Sequence, residues 1–153
     1  MTEYLETTVD KFTFRVAKDR LYTPQGAWVF WMKPEAPGRV RIGLADYLQQ
    51  RSGDVAFATV KPVGTKLAAG ERLAEIETIK TMVELASPVS GTVAEVNAAL
   101  DATPEVVNQD PYDKGWLAVI ETTAWESERA KLLEPGGYFT AMQAEAHEEL
   151  KKL

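Results

Sequence analysis

Apolar residues in the first half of the chain recur at every second position, the spacing of half-buried strands. Phe12, Phe14 and Val16 alternate with Lys11, Thr13 and Arg15, and Val40, Ile42 and Leu44 alternate with Arg39, Arg41 and Gly43. The run Ala27–Met32 is apolar throughout and predicts a buried strand, bounded by the turn Thr23-Pro24-Gln25-Gly26 before it and by Pro34 and Pro37-Gly38 after it. Val55–Val60 predicts another strand, closed by Lys61-Pro62-Val63-Gly64, and Ala45–Arg51 predicts a helical turn or two ended by Ser52-Gly53-Asp54. Beyond Thr122 the period changes. Thr123–Leu133 predicts a helix started by a threonine cap, with Ala130 and Leu133 one turn apart. Pro135-Gly136-Gly137 is expected to stop it, and Tyr138–Lys152 predicts a second helix with Phe139, Met142, Ala146 and Leu150 along one stripe.

An internal echo refines this picture. Leu73-Ala74-Glu75-Ile76-Glu77-Thr78 and Leu117-Ala118-Val119-Ile120-Glu121-Thr122 differ only at Glu75 against Val119, and each follows a glycine-containing turn at Gly70 or Gly115. Such a repeat predicts a quasi-symmetric β fold whose two half-units pack face to face, with Thr92–Val96 as a strand between them. Asn97–Trp116 reads as an inserted connection with one helical turn at Pro104–Val107. Residues 73–85 are less clear-cut, because Leu73, Ile76, Lys80 and Val83 also fall at helical spacing. The β-branched Ile76, Thr78, Ile79, Thr81 and Val83 favour strands. Lys80 sits in the middle of that stretch, where the Gly and Asn of tight hairpin turns are missing, so local rules predict no turn there.

Composition narrows the chemistry. The 153 residues suit one domain with a real core, and 17 Lys and Arg against 23 Asp and Glu give a net charge of −6. With no segregated basic patch, such a chain repels phosphates and predicts no nucleic-acid partner. No apolar run approaches the roughly 20 residues of a membrane span, and the first residues lack the pattern of a secretory leader, so a cytoplasmic protein is expected. There is no cysteine and a single histidine, His147, which excludes thiol nucleophiles, disulfides, and cysteine or multi-histidine metal sites. The setting of His147 in a charged segment predicts a solvated helix face. Trp28, Trp31 and Trp116 lie in or beside predicted strands and fit core packing better than ligand stacking. Glu75, Glu77 and Glu84 fit a solvated acidic collar for a basic partner better than an acid and base pair.

Three segments together carry a family resemblance: Glu77-Thr78-Ile79-Lys80, Ser87-Pro88-Val89-Ser90-Gly91 with Thr92–Asn97, and Asn108-Gln109-Asp110-Pro111-Tyr112-Asp113-Lys114-Gly115-Trp116-Leu117. With Gly43–Tyr47 and Gly53-Asp54-Val55 upstream, the chain resembles the glycine cleavage H protein and its H-like relatives. The resemblance implies lipoate in amide linkage on Lys80. It also implies a mainly β fold, a flattened barrel or sandwich of two quasi-symmetric sheets with peripheral C-terminal helices. The organisation expected is an N-terminal extension with a short strand over 1–20, a lipoyl-type β-domain over 21–122, and a helical segment over 123–153 packed on the same domain. A protein of this kind is a non-catalytic, monomeric carrier served by a lipoate ligase or lipoyl transferase.

The sequence also departs from the glycine cleavage pattern, with Pro24-Gln25-Gly26-Ala27 before Trp28 and Thr81-Met82 after the lysine. On those departures the expected clients lean towards a heterodisulfide-reductase-like complex of sulfur oxidation, where similar lipoate-binding proteins work, with the glycine cleavage enzymes as the alternative. A biotin carrier is a further alternative, disfavoured by Ile79 and Thr81 where biotin carriers have methionine. An unmodified interaction domain, with Lys80 a plain exposed strand lysine, is the last.

Overall fold

A computed structural model describes residues 2–32 and 38–151. Pro34 and Pro37, expected to bound a strand, lie outside the described residues, as does Lys152 of the expected last helix. Strands β1 (Tyr4–Val9) and β2 (Phe12–Ala17) form a hairpin; β3 (Leu21–Tyr22), β4 (Ala27–Trp31) and β5 (Arg39–Leu44) follow, then helix α1 (Asp46–Ser52). Strands β6 (Val55–Val60), β7 (Lys66–Leu67), β8 (Arg72–Thr78), β9 (Met82–Ala86) and β10 (Gly91–Val96) come next, then short helices α2 (Ala99–Ala102) and α3 (Val106–Gln109). The chain closes with β11 (Ala118–Thr122), α4 (Trp125–Glu128) and the long helix α5 (Pro135–Lys151).

Among the described residues these strands make a six-stranded sheet in the order β3-β4-β5-β11-β10-β7 and a three-stranded sheet in the order β6-β8-β9, plus the β1-β2 hairpin. The expected mainly β sandwich is what the chain adopts. The echo finds its reason in the two sheets: β8 is interior to the smaller and β11 to the larger. Their matching residues Leu73 and Leu117, Ala74 and Ala118, and Ile76 and Ile120 are all at most 2% exposed, on the core between the sheets. The strand expected over Thr92–Val96 is β10, between the echo strands along the chain; it pairs with β11 on one side and β7 on the other, inside the larger sheet.

The apolar run in β4 follows from a second core on the opposite face of the larger sheet. Val29 points into the inter-sheet core, and Trp28, one residue earlier and so on the other face, packs with Phe14, Val16, Tyr47, Tyr138 and Met142. The N-terminal segment supplies part of that cover, and here the expectation of one short strand is corrected. It is a two-stranded hairpin turned at Asp10 (φ 57°), a residue type that tolerates the left-handed region, with Val9, Phe14 and Val16 buried.

The C-terminal segment also differs from its pattern. Instead of one helix over 123–133 there is a single turn, α4, followed by a 3₁₀ turn at Arg129–Lys131; Thr123 caps nothing, because Ala124 occupies the cap position with no side-chain bond. Tertiary contacts hold α4 where local capping does not. Trp125 stacks on Trp31 at 4.6 Å, and Glu128 accepts from the Ser90 N–H and hydroxyl at 2.7 and 2.6 Å. Pro135 begins α5 rather than stopping its predecessor, since a first-turn proline forfeits no intrahelical bond. On α5 the buried stripe is Tyr138, Met142 and Ala146, with Phe139 and Leu150 packed beside it. The Asn97–Trp116 connection is no outlying insertion. Asn97 holds the Lys114 and Trp116 carbonyls, both at 2.8 Å, and Pro111 accepts the indole N–H of buried Trp28 at 2.8 Å.

Candidate functional site at the β8–β9 hairpin tip

The smaller sheet ends in a tight turn, Ile79-Lys80-Thr81, between β8 and β9, and Lys80 stands at its tip with an exposed side chain. The turn that local propensity does not supply comes from Thr78. Its hydroxyl oxygen accepts the backbone N–H groups of Lys80 (3.1 Å) and Thr81 (3.0 Å), while its own N–H donates to the Thr81 carbonyl at 2.8 Å. A threonine closing the loop through its side chain is the hydroxyl counterpart of an Asx turn. Thr78 is 7% exposed, and its hydroxyl donates to the Ser52 carbonyl at 2.7 Å. The tip is therefore tied to the loop after α1, a tie reinforced by the Ile79 N–H on the Asp54 carbonyl at 3.1 Å.

That loop is fixed in turn by Asn108, in the short helix α3 of the connection. Its side-chain carbonyl accepts the Val55 N–H at 2.8 Å, and its amide donates to the Gly53 carbonyl and to Gln49 Oε1, both at 3.0 Å. Gly53 has φ 94° and ψ −174°, backbone space that is essentially glycine-only. A Cβ there would stand 2.8 Å from Lys80 Cε, so the lysine stem lies back across Gly53 instead of projecting straight from the turn. The rigid support of Lys80 is thus a relay: Asn108 holds Gly53 and Val55, and the Ser52 and Asp54 carbonyls beside them hold the tip. Below it, Ser87 Oγ donates to the Val89 carbonyl at 2.7 Å, and a Cβ on Gly91 would run into the Glu121 carbonyl oxygen, which explains the serine and glycine of the Ser-Pro-Val-Ser-Gly segment.

The acidic collar is narrower than the sequence suggests. Glu75 and Glu84 face each other across β8 and β9 and share Arg72, at 2.7 and 3.4 Å, while Glu77, three residues before Lys80, is exposed. Exposed apolar side chains sit beside it: Ile79 (75%), Met82 (49%) and Phe57, which pairs with Glu77 across β6 and β8. His147 is exposed on α5, and among the described residues no group of three or more His, Asp or Glu side chains could hold a metal. Trp28 is fully buried and Trp31 and Trp125 stack together, in keeping with core roles. Two grooves flank the tip. One, lined by Gln25, Leu48, Arg51, Met82, Glu84 and Glu145, carries carboxylates; the other is walled by Phe12, Phe14, Tyr47 and Leu150 and includes Lys80 itself. Sequence reasoning found Lys80 but missed Thr78, Gly53 and Phe12 as parts of one site. The only signal for them was a hydroxyl two residues before the lysine and a glycine after a helix.

The β-sandwich thus presents one exposed lysine on a turn held by a relay of buried and part-buried hydrogen bonds. The glycine cleavage H-protein family model matches residues 20–145. Similar relatives, each named glycine cleavage system H protein, come from Thermus thermophilus (38% identical, 86% of this chain and 98% of the relative), Stenotrophomonas maltophilia (39%, 76% and 88%) and Mycobacterium tuberculosis (38%, 80% and 93%). A solved glycine cleavage system H protein from Mycobacterium marinum superposes with TM-score 0.70 at 35% identity, covering 79% of this chain and 94% of that one. The chain belongs to the glycine cleavage H-protein family, non-catalytic carriers that hold lipoate covalently on a lysine. The lean towards sulfur oxidation finds no support in these likenesses, which favour the glycine cleavage alternative. The hairpin β1–β2 lies before the matched region.

Proposed function

We propose that Lys80 takes lipoate in amide linkage and that the chain serves as the H protein of a glycine cleavage system, moving an aminomethyl group among its enzymes. The observation that carries the reading is the presentation of Lys80 at a turn locked by Thr78 and Gly53, with its amine open to an attaching enzyme. The shared name of the relatives supports the choice of system. Acylation converts the side-chain ammonium of Lys80 into a neutral amide. Lipoate bound there supplies a dithiolane for two-electron reduction, thiol exchange and carriage of a small group. The chain itself contributes position: a rigid turn under a flexible stem. It also contributes inertness, since a sequence without cysteine offers no thiol to exchange with the arm.

The attaching partner in this reading is a lipoate ligase or lipoyl transferase, and the clients are the glycine cleavage enzymes. We place the β-domain at 21–122 and the helical segment at 123–153 on one body, working as a monomer in the cytoplasm. Among the described residues no helix is long and apolar enough to cross a membrane. Intact mass after incubation with lipoate ligase, lipoate and ATP tests the site: one lipoyl group is expected on the wild type and none on Lys80→Arg, and a lipoylated Lys80→Arg variant overturns it. Incubating the lipoylated protein with glycine decarboxylase and glycine tests the pathway. Efficient aminomethyl loading is expected, and a fully lipoylated protein that stays unloaded refutes the glycine cleavage assignment while leaving the site intact.

A further inference from the structure

The N-terminal hairpin β1–β2 precedes the residues 20–145 that the family model matches, and its two outer edges differ in how they are finished. The Lys18 N–H donates to the Glu3 carbonyl at 2.9 Å, and Leu5 stands opposite Val16 and Thr7 opposite Phe14. Odd-numbered residues of β1 and even-numbered residues of β2 therefore bond within the hairpin. The backbone groups of Thr13, Arg15 and Ala17 point out of one edge, and those of Tyr4, Glu6 and Thr8 out of the other. Side chains of the body close the β2 edge. Gln50 donates to the Thr13 carbonyl (2.9 Å), Asp46 accepts the Arg15 N–H (3.0 Å), and the Tyr112 and Tyr22 hydroxyls donate to the Arg15 and Ala17 carbonyls (2.6 and 2.7 Å). The β1 edge has no such closure: among the described residues no hydrogen bond reaches the backbone N–H or carbonyl of Tyr4, Glu6 or Thr8, and Glu6 and Thr8 are exposed. Helix α5 packs under the hairpin instead of along this edge, with the Gln143 amide on the Thr7 hydroxyl at 3.0 Å. Strand β1 also carries no proline, lysine or bulge, the usual devices that blunt an open edge.

We propose that the β1 edge is a docking site for an extended, basic segment of a partner protein, which adds to the hairpin as an antiparallel third strand. The main chain supplies the affinity, because Tyr4, Glu6 and Thr8 offer free donors and acceptors at the repeat of a pairing strand. Charge selects the occupant. Exposed Glu3, Glu6 and Asp10 lie along β1 and its turn, and Arg15 reaches Glu6 only at 3.8 Å, with both side chains more than half exposed (51% and 58%). A second copy of the chain is a poor fit, since the antiparallel register that pairs all three positions sets Glu6 against its own counterpart, between two bodies of charge −6. The fitting segment carries Lys or Arg opposite Glu6 and β-branched residues opposite Tyr4 and Thr8. The hairpin also bears Phe12 and Phe14, which line the groove that includes Lys80, while no residue of β1 lines it. A strand added at β1 thus holds its protein beside the lysine and leaves the lysine uncovered, raising the effective concentration of that protein there.

The inference stands apart from the chemistry of Lys80, and its test reads binding alone. The full chain, labelled with heavy nitrogen, is titrated with the synthetic peptide acetyl-Lys-Val-Thr-Lys-Thr-Val-Lys-amide and followed by its amide resonances. Saturable shifts centred on the Tyr4, Glu6 and Thr8 amides are expected, with slowed hydrogen exchange at the same three. The same peptide with Glu for every Lys should bind at least about tenfold more weakly, and Glu6→Gln should weaken binding of the basic peptide about threefold. Thr8→Pro removes a donor that points out of the edge and no bond of the hairpin, so the chain should keep its circular dichroism and lose most of its affinity. A peptide N-methylated at its central Lys and both Val makes the same cut on the unaltered chain, and it should not bind. Absent shifts, shifts centred on the Arg15 edge or around Lys80, or binding that survives both Thr8→Pro and N-methylation overturn the docking site. Protection of the Tyr4, Glu6 and Thr8 amides by self-association without peptide overturns the basic segment in favour of a second copy.

Discussion

Replacing Thr78 by valine keeps the branched shape and removes the hydroxyl on which the tip depends. The buried bond to the Ser52 carbonyl (2.7 Å) is lost outright, and two backbone N–H groups, of Lys80 and Thr81, lose their acceptor but can turn to water because both residues are exposed. Taking about 1 kcal/mol for the buried bond and about half that for each of the others gives a loss of about 2 kcal/mol. For a chain of this length that is a fall in Tm of about 6 °C. Urea unfolding should show the same loss as a lower midpoint at unchanged slope. The lipoylation rate, followed by intact mass under limiting ligase, should drop as well, because an attaching enzyme then has to order a turn that the wild type presents ready-made. Thr78→Ser, which keeps the hydroxyl, should retain a lipoylation rate near that of the wild type. A valine variant within about 0.5 kcal/mol of the wild type, and lipoylated as fast, refutes the reasoning that this hydroxyl builds the turn.

Gly53→Ala forces a side chain into glycine-only backbone space and against the Lys80 stem; a loss of about 1–3 kcal/mol in urea unfolding is expected, with slower lipoylation. Asn108→Ala removes three hydrogen bonds and leaves the Gln49 carboxamide, in a residue 7% exposed, short of a partner, so a loss of about 2–3 kcal/mol is expected although the residue never touches Lys80. Burial, the largest cause, pushes the Tyr112 phenol up to about 12 and raises that of Tyr22 well above its ordinary value. Raised folded values mean that the contribution is fully present below the unfolded pKa of about 10 and is lost as pH climbs towards the folded ones. Stability should therefore fall above pH 10 by about 1.4 kcal/mol per pH unit for each buried tyrosine. Tyrosinate absorbance that rises well before the loss of circular dichroism would contradict this.

Much of the fold was legible because its cause is local and periodic. The alternation in β2 and β5 marked strands half covered by one core, and the unbroken apolar run of β4 marked a strand covered by two. The repeat of Leu, Ala and Ile in β8 and β11 was a direct trace of two interior strands facing one core. What failed was local reasoning about ends. Thr123 looks like a cap and is not one, and Pro135 looks like a stop and is a start, because the contacts of Trp125 with Trp31 and of Glu128 with Ser90 outweigh a capping preference of about 1 kcal/mol.

The site divides along the same line. Lysine chemistry, the absence of thiols and the likeness to a lipoyl carrier can be read from residues in order, since each is a property of side-chain type and of motifs a few residues long. The anchoring of the turn under Lys80 cannot, because the groups that hold Thr78 and Ile79 in place come from the end of α1, from the residues just after it and from Asn108, 28 positions further along and brought near by β6 pairing with β8. The groove beside it is more remote still from any sequence pattern. Phe12 and Leu150 stand near opposite ends of the chain, and only the packing of β1–β2 and α5 on the outer face of the larger sheet places them on either side of one lysine. Periodicity reports which face of an element is buried, but which buried faces meet is a property of the closed chain.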